Sequence, residues 1–528
     1  MPAIARALPP GYSPGDPSST PLHQIVRENL DAFLAEAEQA YDAPLPDYVI
    51  DEFRAYLECG QFGPGFLRCH CDGCGHDMLI AFSCKRRGVC QSCGTRRMCN
   101  EAAHLTDRVL PNVPVRQWVL SLPFELRRLA AFRADVLTML GRTFVEEIFR
   151  ASGFRGPGRE GGAVTFVQRF GGSLNLNVHF HVVVLDGAFV RDNDRTRFHE
   201  TPPPSRDVIA TVARRVRDRA VRWLRRRKLV TSSDEDRSDD ASKGTALDAC
   251  ATLALRTAGL VDVSANREEA SPTNPLDARG PARFSAAFEG FDVHAAVRVE
   301  ANDDDARERL VRYCARPALA LDRLSLSRDG AVCYRVKYAR GTKTHRVMRP
   351  TGFLARLAAL VPPPRYPLVR YHGALAPHSA WRKLVVPRPA NDQRAHHLAR
   401  KAADEPTIAR SSGSSPASTS RIPGPREPDY DVAAGILTVR HWGRLSNGAL
   451  LATSPRVAWA ELLRRTHGVD VLVCPRCQGR MRLLTAVTDP DVAREILAGL
   501  GVTEPPATDC PAQRARAPDA QLTLPWPA

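Results

Sequence analysis

The chain has 528 residues and a formal charge of +16 with an isoelectric point near 9.5, room for about three domains and a surplus that favours a polyanionic partner. Arginine carries that surplus, since only seven of the 74 basic residues are lysine. No apolar run approaches the ~18 residues of a membrane span and the first residues lack the apolar core of a signal peptide, so the expectation is a cytoplasmic protein whose 14 cysteines stay reduced and serve metals rather than disulfides.

In chain order, "LHQIVRENLDAFLAEAEQAY" and "DYVIDEFRAYLECG" space their apolar residues as helices within residues 22–58. Cys59 to Cys99 then holds eight of the fourteen cysteines. Residues 115–123 read as a strand and 125–152 as a long helix; 163–170 and 177–185 read as two strands of a hairpin. A basic helix over 206–230 leads into an acidic polar loop. Residues 291–301 predict a strand, 303–316 a helix stopped by Pro317, and 318–339 a hairpin turning at Arg328-Asp329-Gly330. Four blocks follow: a helical and zinc-binding domain (22–110), a central domain (111–385), a linker of disordered composition (386–435) and a small C-terminal module (436–502).

Cys71-x-x-Cys74 and Cys90-x-x-Cys93 are fifteen residues apart, the spacing of a four-thiolate structural zinc site. Cys59, Cys69, His70, His76 and Cys84 are substitutes, or ligands of a second ion. Arg86, Arg87, Arg96 and Arg97 lie between and after the pairs as phosphate contacts; an ordinary solvated surface is the competing reading of each. Cys474-x-x-Cys477 is either half a zinc site completed by Cys510 or His467, or a reduced pair on a turn.

The stretch "LNLNVHFHVVVLDG" (174–187) carries His179 and His181 on one strand face, close enough to share a metal ion, unless both are core histidines. A reactive partner is offered by "RERLVRYCARP", where Tyr313 has Arg309 at i−4 and Arg316 at i+3 on its helix face. A tyrosine flanked by guanidiniums suits attack on a phosphodiester; the competing reading is a half-buried packing residue.

Histidine–hydrophobic–histidine on a strand with a tyrosine on a later helix resembles the HUH endonuclease superfamily. The resemblance is closer to rolling-circle transposases of the insertion sequence 91 type, through "AFSCKRRGVCQSCGTRRM", "VRQWVLSLP", "FVQRFGGSLNLNVHFHVVVLDGAF", "DVHAAVRVEA", "LVRYCARPALALDRL", "RYHGALAP" and "DVLVCPRCQGRMRLLTAV". It covers about residues 22–502 apart from the acidic insertion and the linker. It implies an α+β protein: a zinc-ribbon-like N-terminal module, a central HUH-type antiparallel sheet with helices on one face, and a small C-terminal module. It also implies His179 and His181 as ligands of a catalytic Mg²⁺ or Mn²⁺ and Tyr313 as the nucleophile, with Arg316 beside it. Two-tyrosine members carry a second tyrosine four residues on, where this chain has Pro317, so it resembles a single-tyrosine member. For the third metal ligand, Gln168 falls opposite His179 if Phe170 pairs with Asn177; His294 is its rival, and Asp186 has the wrong parity relative to His181 unless a bulge intervenes. The implied function is transposition: nicking and rejoining single-stranded DNA through a 5′-phosphotyrosine, on the bacterial nucleoid and without a nucleotide cofactor. A non-catalytic zinc-dependent DNA-binding protein is the alternative, and it leaves His179, His181 and Tyr313 idle.

Overall fold

The computed structural model describes residues 17–192, 195–229, 245–256, 260–261, 284–340, 343–387, 460, 462–463 and 470–502. The expected acidic loop, nearly all of the linker, and His467 and Cys510 lie outside the described residues. The first elements are α1 (Pro21–Tyr41), α2 (Asp47–Leu57), β1 (Phe66–Cys71), β2 (Asp77–Ala81), α3 (Gln91–Arg108), β3 (Val115–Ser121), α4 (Phe124–Phe132) and α5 (Ala134–Ala151). Next come β4 (Arg155–Gly156), β5 (Arg159–Glu160), β6 (Gly162–Phe170), β7 (Leu176–Leu185), β8 (Gly187–Asp192), β9 (Arg195–Glu200), α6 (Arg206–Arg226) and α7 (Ala246–Leu255). They are followed by β10 (Leu260–Val261), β11 (Ser285–Phe288), β12 (Phe291–His294), β13 (Arg298–Val299), α8 (Asp304–Ala315), β14 (Leu324–Leu326), β15 (Val332–Arg340) and β16 (Lys343–Met348). The last are α9 (Pro350–Leu360), β17 (Val369–Gly373), α10 (Arg382–Val385), β18 (Met481–Val487) and α11 (Pro490–Gly499).

Local chemistry explains most boundaries. Thr20 caps α1 by accepting from His23 N at 3.2 Å, and Asp303 caps α8 by accepting from Ala306 N at 2.9 Å. The helix expected over 125–152 breaks at Arg133, whose backbone is extended, giving α4 and α5. The strand expected over 291–301 is two short strands, β12 and β13, lying end to end along β3.

The chain forms two compact units, one with Ser18–Leu57 and Cys84–Val471, the other with Glu58–Ser83 and the chain from Leu472. They cut across the blocks expected from sequence, because strand pairing between distant segments leaves no local signal. The first unit is built on an antiparallel sheet of order β11-β12-β3-β7-β6-β17, with β13 also on β3. Two four-stranded sheets, β10-β16-β15-β14 and β4-β5-β8-β9, belong to the same unit. Mixed helix and antiparallel sheet make the chain α+β, as expected. Helices, however, cover both faces of the central sheet rather than one. Val164, Phe166 and Val183 pack against Ala102 and Leu105 of α3 and against Leu310, Val311 and Cys314 of α8. On the opposite face Phe180 meets α5 at Gly141, where a Cβ would stand 3.0 Å from the ring. The reason is written in β6, every residue of which is buried; a strand without polar alternation needs cover on both sides.

The second unit has a three-stranded sheet, β18-β1-β2, over a core of Phe66, Leu79, Val487, Ala493 and Leu497. The described part of the C-terminal module from Leu472 on is therefore joined to residues 58–83 rather than standing alone. Among the described residues no helix is long and apolar enough to cross a membrane.

Candidate active site and cysteine clusters

β6 and β7 bring three polar side chains to the face under α8. Gln168 pairs directly with His179, and Phe166 with His181. Phe170 pairs with Leu176 rather than with Asn177, and an irregularity between Gln168 and Phe170 absorbs the difference. The two imidazoles lie 4.9 Å apart between centroids. His179 Nδ1 lies 2.9 Å from the Asn177 carbonyl; donating to it fixes the tautomer that leaves the Nε2 lone pair for a ligand. Burial pulls the His179 pKa down to about 4, and the Arg316 and Arg127 charges pull the same way, so the ring is neutral at neutral pH.

The amide nitrogen of Gln168 donates to the Tyr313 and Cys314 carbonyls, 2.9 Å each. Its Oε1 is buried with no hydrogen-bond partner among the described residues. An orphaned amide oxygen beside two imidazoles, that of His179 neutral, is a donor set that fits a divalent cation. His294 does not compete as a neighbour: it pairs with Val119, which pairs with His181, putting it two strands, or about 10 Å, away. Asp186 is committed elsewhere, taking both arms of buried Arg116 at 2.9 and 2.8 Å and Arg298 at 2.9 Å.

Tyr313 stands against this group, its ring 5.4 Å from His181 and nearly perpendicular to it. Arg316 is not on the helix face expected for it. It is the C-cap of α8, with φ −58° and ψ 150°, because the residue before a proline is driven out of the helical region. Its guanidinium thereby folds over the rings of Tyr313 (4.8 Å) and Phe170 (5.4 Å). Arg309 is exposed. Sequence reasoning missed Gln117, whose amide nitrogen lies 2.9 Å from His181 Nδ1 and 3.4 Å from Cys314 Sγ. A polar residue amid the apolar run "VRQWVLSLP", on the same face as Val119, was the available signal. Two clefts of about 320 and 390 Å³ share Phe170, Arg316 and Pro317; Arg97 and Gln168 line the first, Thr95 and Arg323 the second.

Residues 162–382, the span that holds His179, His181 and Tyr313, match the family described as "Putative transposase". Residues 25–122 match the transposase zinc-binding domain of the insertion sequence 91 type. The chain belongs to the insertion sequence 91 family of transposases. No curated protein and no solved structure matches it.

The transposase has a zinc-binding domain, but its cysteines do not gather as the spacing suggested. Cys71 and Cys74 cluster with Cys474 and Cys477 in the second unit. Cys90 and Cys93 belong to a different group, with Cys84: these three sulfurs lie within 4.8 Å of one another. Cys84 Sγ is 3.5 Å from Cys93 Sγ, which also accepts from Lys85 N at 3.2 Å. The single site Cys71, Cys74, Cys90 and Cys93 is corrected accordingly.

The four arginines singled out as phosphate contacts also divide. Arg87 is bound inward, donating to the Tyr366 and Pro363 carbonyls at 3.0 and 2.9 Å, while Glu52 accepts from its backbone N at 3.0 Å. It stitches the turn to the loop after α9, and it also lines the first cleft. Arg86 pairs with Asp51 at 3.5 Å. Arg97 donates to the Lys85 carbonyl at 3.1 Å yet still lines the first cleft. Arg96 is half-buried, and that burial lowers its pKa.

Proposed function

We propose that this transposase nicks and rejoins single-stranded DNA with Tyr313 as nucleophile, moving its element by a rolling-circle-like route on the nucleoid, in the bacterial cytoplasm. The observation that carries this is the placement of Tyr313, 5.4 Å from His181 on a helix end whose carbonyls Gln168 holds. The Tyr313 hydroxyl attacks phosphorus, the bond to the 3′ oxygen breaks, and the proton lost by the tyrosine is balanced by one gained at that oxygen. A 5′-phosphotyrosine and a free 3′-hydroxyl result. One phosphoester replaces another, so rejoining by the reverse attack needs no nucleotide cofactor. The guanidinium of Arg316 beside the ring stabilises negative charge on the tyrosine oxygen and on the phosphate.

His179, His181 and Gln168 would hold a Mg²⁺ or Mn²⁺ ion, which when bound polarises a phosphate oxygen. Ligation through His181 Nε2 requires a proton on Nδ1. The Gln117 amide then turns to present its oxygen there, a rotation that costs no contact of similar strength. Arg97 and Arg316, which line the first cleft, contact the phosphates. Cys84, Cys90 and Cys93 supply thiolates to a structural zinc.

The test is to incubate the protein with labelled single-stranded DNA and Mn²⁺, digest it and map the peptide that carries nucleotide. The label should sit on Tyr313, and Tyr313→Phe should lose the adduct while DNA binding persists. The competing phenols are poorly placed for ionisation: burial raises Tyr334, and pushes Tyr366 and Tyr371 up to about 12. Label on one of those, or an undiminished adduct in Tyr313→Phe, rejects the assignment. Binding without any adduct in the wild type supports the non-catalytic reading instead.

A further inference from the structure

The second compact unit has a core of five buried side chains, Phe66, Leu79, Val487, Ala493 and Leu497. So small a core does not usually hold a domain together without a disulfide or a metal. The described cysteines are all unbridged. At one end of the sheet, β1 runs into the turn Cys71-Asp72-Gly73-Cys74, and β18 is preceded by Cys474-Pro475-Arg476-Cys477. The register Cys71↔Met481 sets both turns at that end.

Each turn is bent as a metal knuckle. Cys74 N and Gly75 N donate to the Cys71 carbonyl at 3.3 and 2.8 Å, and Gln478 N donates to the Cys474 carbonyl at 3.0 Å. Gly75 and Gln478 close the turns with φ of 70° and 62°; for glutamine that left-handed conformation is uncommon and needs support from its surroundings. A Cβ on Gly479 would stand 3.3 Å from Cys477 Sγ and 3.5 Å from Cys71 Sγ. The four sulfurs lie within 4.8 Å of one another, with Cys71–Cys477 at 3.4 Å and Cys74–Cys474 at 3.6 Å. Sulfurs at the corners of a tetrahedron ~2.3 Å from zinc are separated by roughly 3.8 Å. The cluster has those dimensions.

We propose that Cys71, Cys74, Cys474 and Cys477 hold a second structural zinc ion as four thiolates, and that this ion fastens β18 to β1. The matched family segments end at residues 122 and 382, so neither assigns a role to Cys474 or Cys477. Four thiolates complete the coordination and leave no position for substrate, so the ion is structural. Each cysteine gives up its thiol proton on binding, which makes the unit's folding depend on metal. The Asp72–Arg482 pair, at 3.1 and 3.2 Å, adds an exposed clasp of little energy.

The full-length, reduced transposase should carry two zinc ions per chain by elemental analysis. Cys474→Ser with Cys477→Ser should carry one, and so should Cys90→Ser with Cys93→Ser. Two ions in the Cys474/Cys477 variant would overturn the assignment. A second measurement needs no variant to fold: the wild type is treated with a maleimide before and after zinc chelation, and the peptides are mapped. Cys71, Cys74, Cys474 and Cys477 should be protected together and become reactive together as zinc is released. Labelling of Cys474 and Cys477 in the zinc-loaded protein, or disulfides among the four in the purified protein before reduction, would equally overturn it.

Discussion

Gln168 asks two things of one amide: its nitrogen clasps the Tyr313 and Cys314 carbonyls, and its oxygen is buried without a partner among the described residues. Substitutions separate the two. Gln168→Ala should lower Mn²⁺ affinity and adduct formation together, each by about 10–100-fold. Gln168→Glu keeps a ligand oxygen and adds charge but turns the clasp repulsive. It should bind Mn²⁺ at least as tightly and still cleave slowly, as paramagnetic titration alongside adduct kinetics would show. A second prediction concerns His372, which sits 3.0 Å from Thr165 Oγ1 and is pulled down to about 4 by burial and by the Arg370 and Arg155 charges. Between its unfolded value near 6.5 and about 4, the unfolded chain binds the extra proton. Stability is therefore complete above pH ~6.5 and is lost as pH falls, at up to about 1.4 kcal/mol per pH unit for one proton. His372→Gln should flatten that slope by up to one proton in denaturation curves taken between pH 4 and 7. At this scale the sequence was legible where chemistry is local. The parity of His179 and His181 follows from two residues on a strand, and Gln168 follows from one hairpin register. Arg87 was not legible, because a basic residue on a turn reads the same whether it faces solvent or caps carbonyls.

Helix ends decide what happens between elements. α4 and α9 stop on one face of the central sheet, and Arg169 of β6 reaches both, donating to the Ala359 and Leu360 carbonyls at 3.0 and 3.2 Å and also to Ala131 O. The rings of Phe132 and Tyr366 lie 5.3 and 5.1 Å from its guanidinium. A buried cation at two helix C-termini satisfies orphaned carbonyls and meets the negative ends of both dipoles. Arg169→Met should cost about 3 kcal/mol in chemical denaturation, by analogy with breaking a buried charged pair. Arg169→Lys should recover less than half of that, since a point charge cannot span three carbonyls in a plane. A Lys variant as stable as wild type would show that charge alone suffices. Most elements were visible as periodic runs, and the errors fell at their ends. The break at Arg133 is a backbone choice with no Gly or Pro to announce it. The exit of Arg316 was announced by Pro317 and required only that the pre-proline restriction be applied.

For the whole molecule, the net charge of +16 sets an expectation for binding that separates surface from scaffold arginines. Affinity for single-stranded DNA should fall with salt in proportion to the phosphates contacted, with a slope in log–log form of about 0.7 per contact. Arg316→Ala should weaken binding and reduce that slope by about one such step. Arg87→Ala should lower thermal stability and leave the slope unchanged; a changed slope there would return Arg87 to the DNA surface. The joining of residues 58–83 to the end of the described chain was beyond sequence reading for a related reason. Pairing between Phe66–Cys71 and Met481–Val487 leaves no trace in the periodicity of either strand. That pairing also sets a clock on synthesis. Cys74 leaves the ribosome 400 residues ahead of Cys474, about 20–80 s at ordinary elongation rates. Throughout that interval β1 has only β2 beside it and an open edge on its other side, a shape prone to mispairing. A gene copy interrupted anywhere before codon 474 never closes the edge, so the protein it encodes should be cleared faster by proteases however sound the rest of its fold.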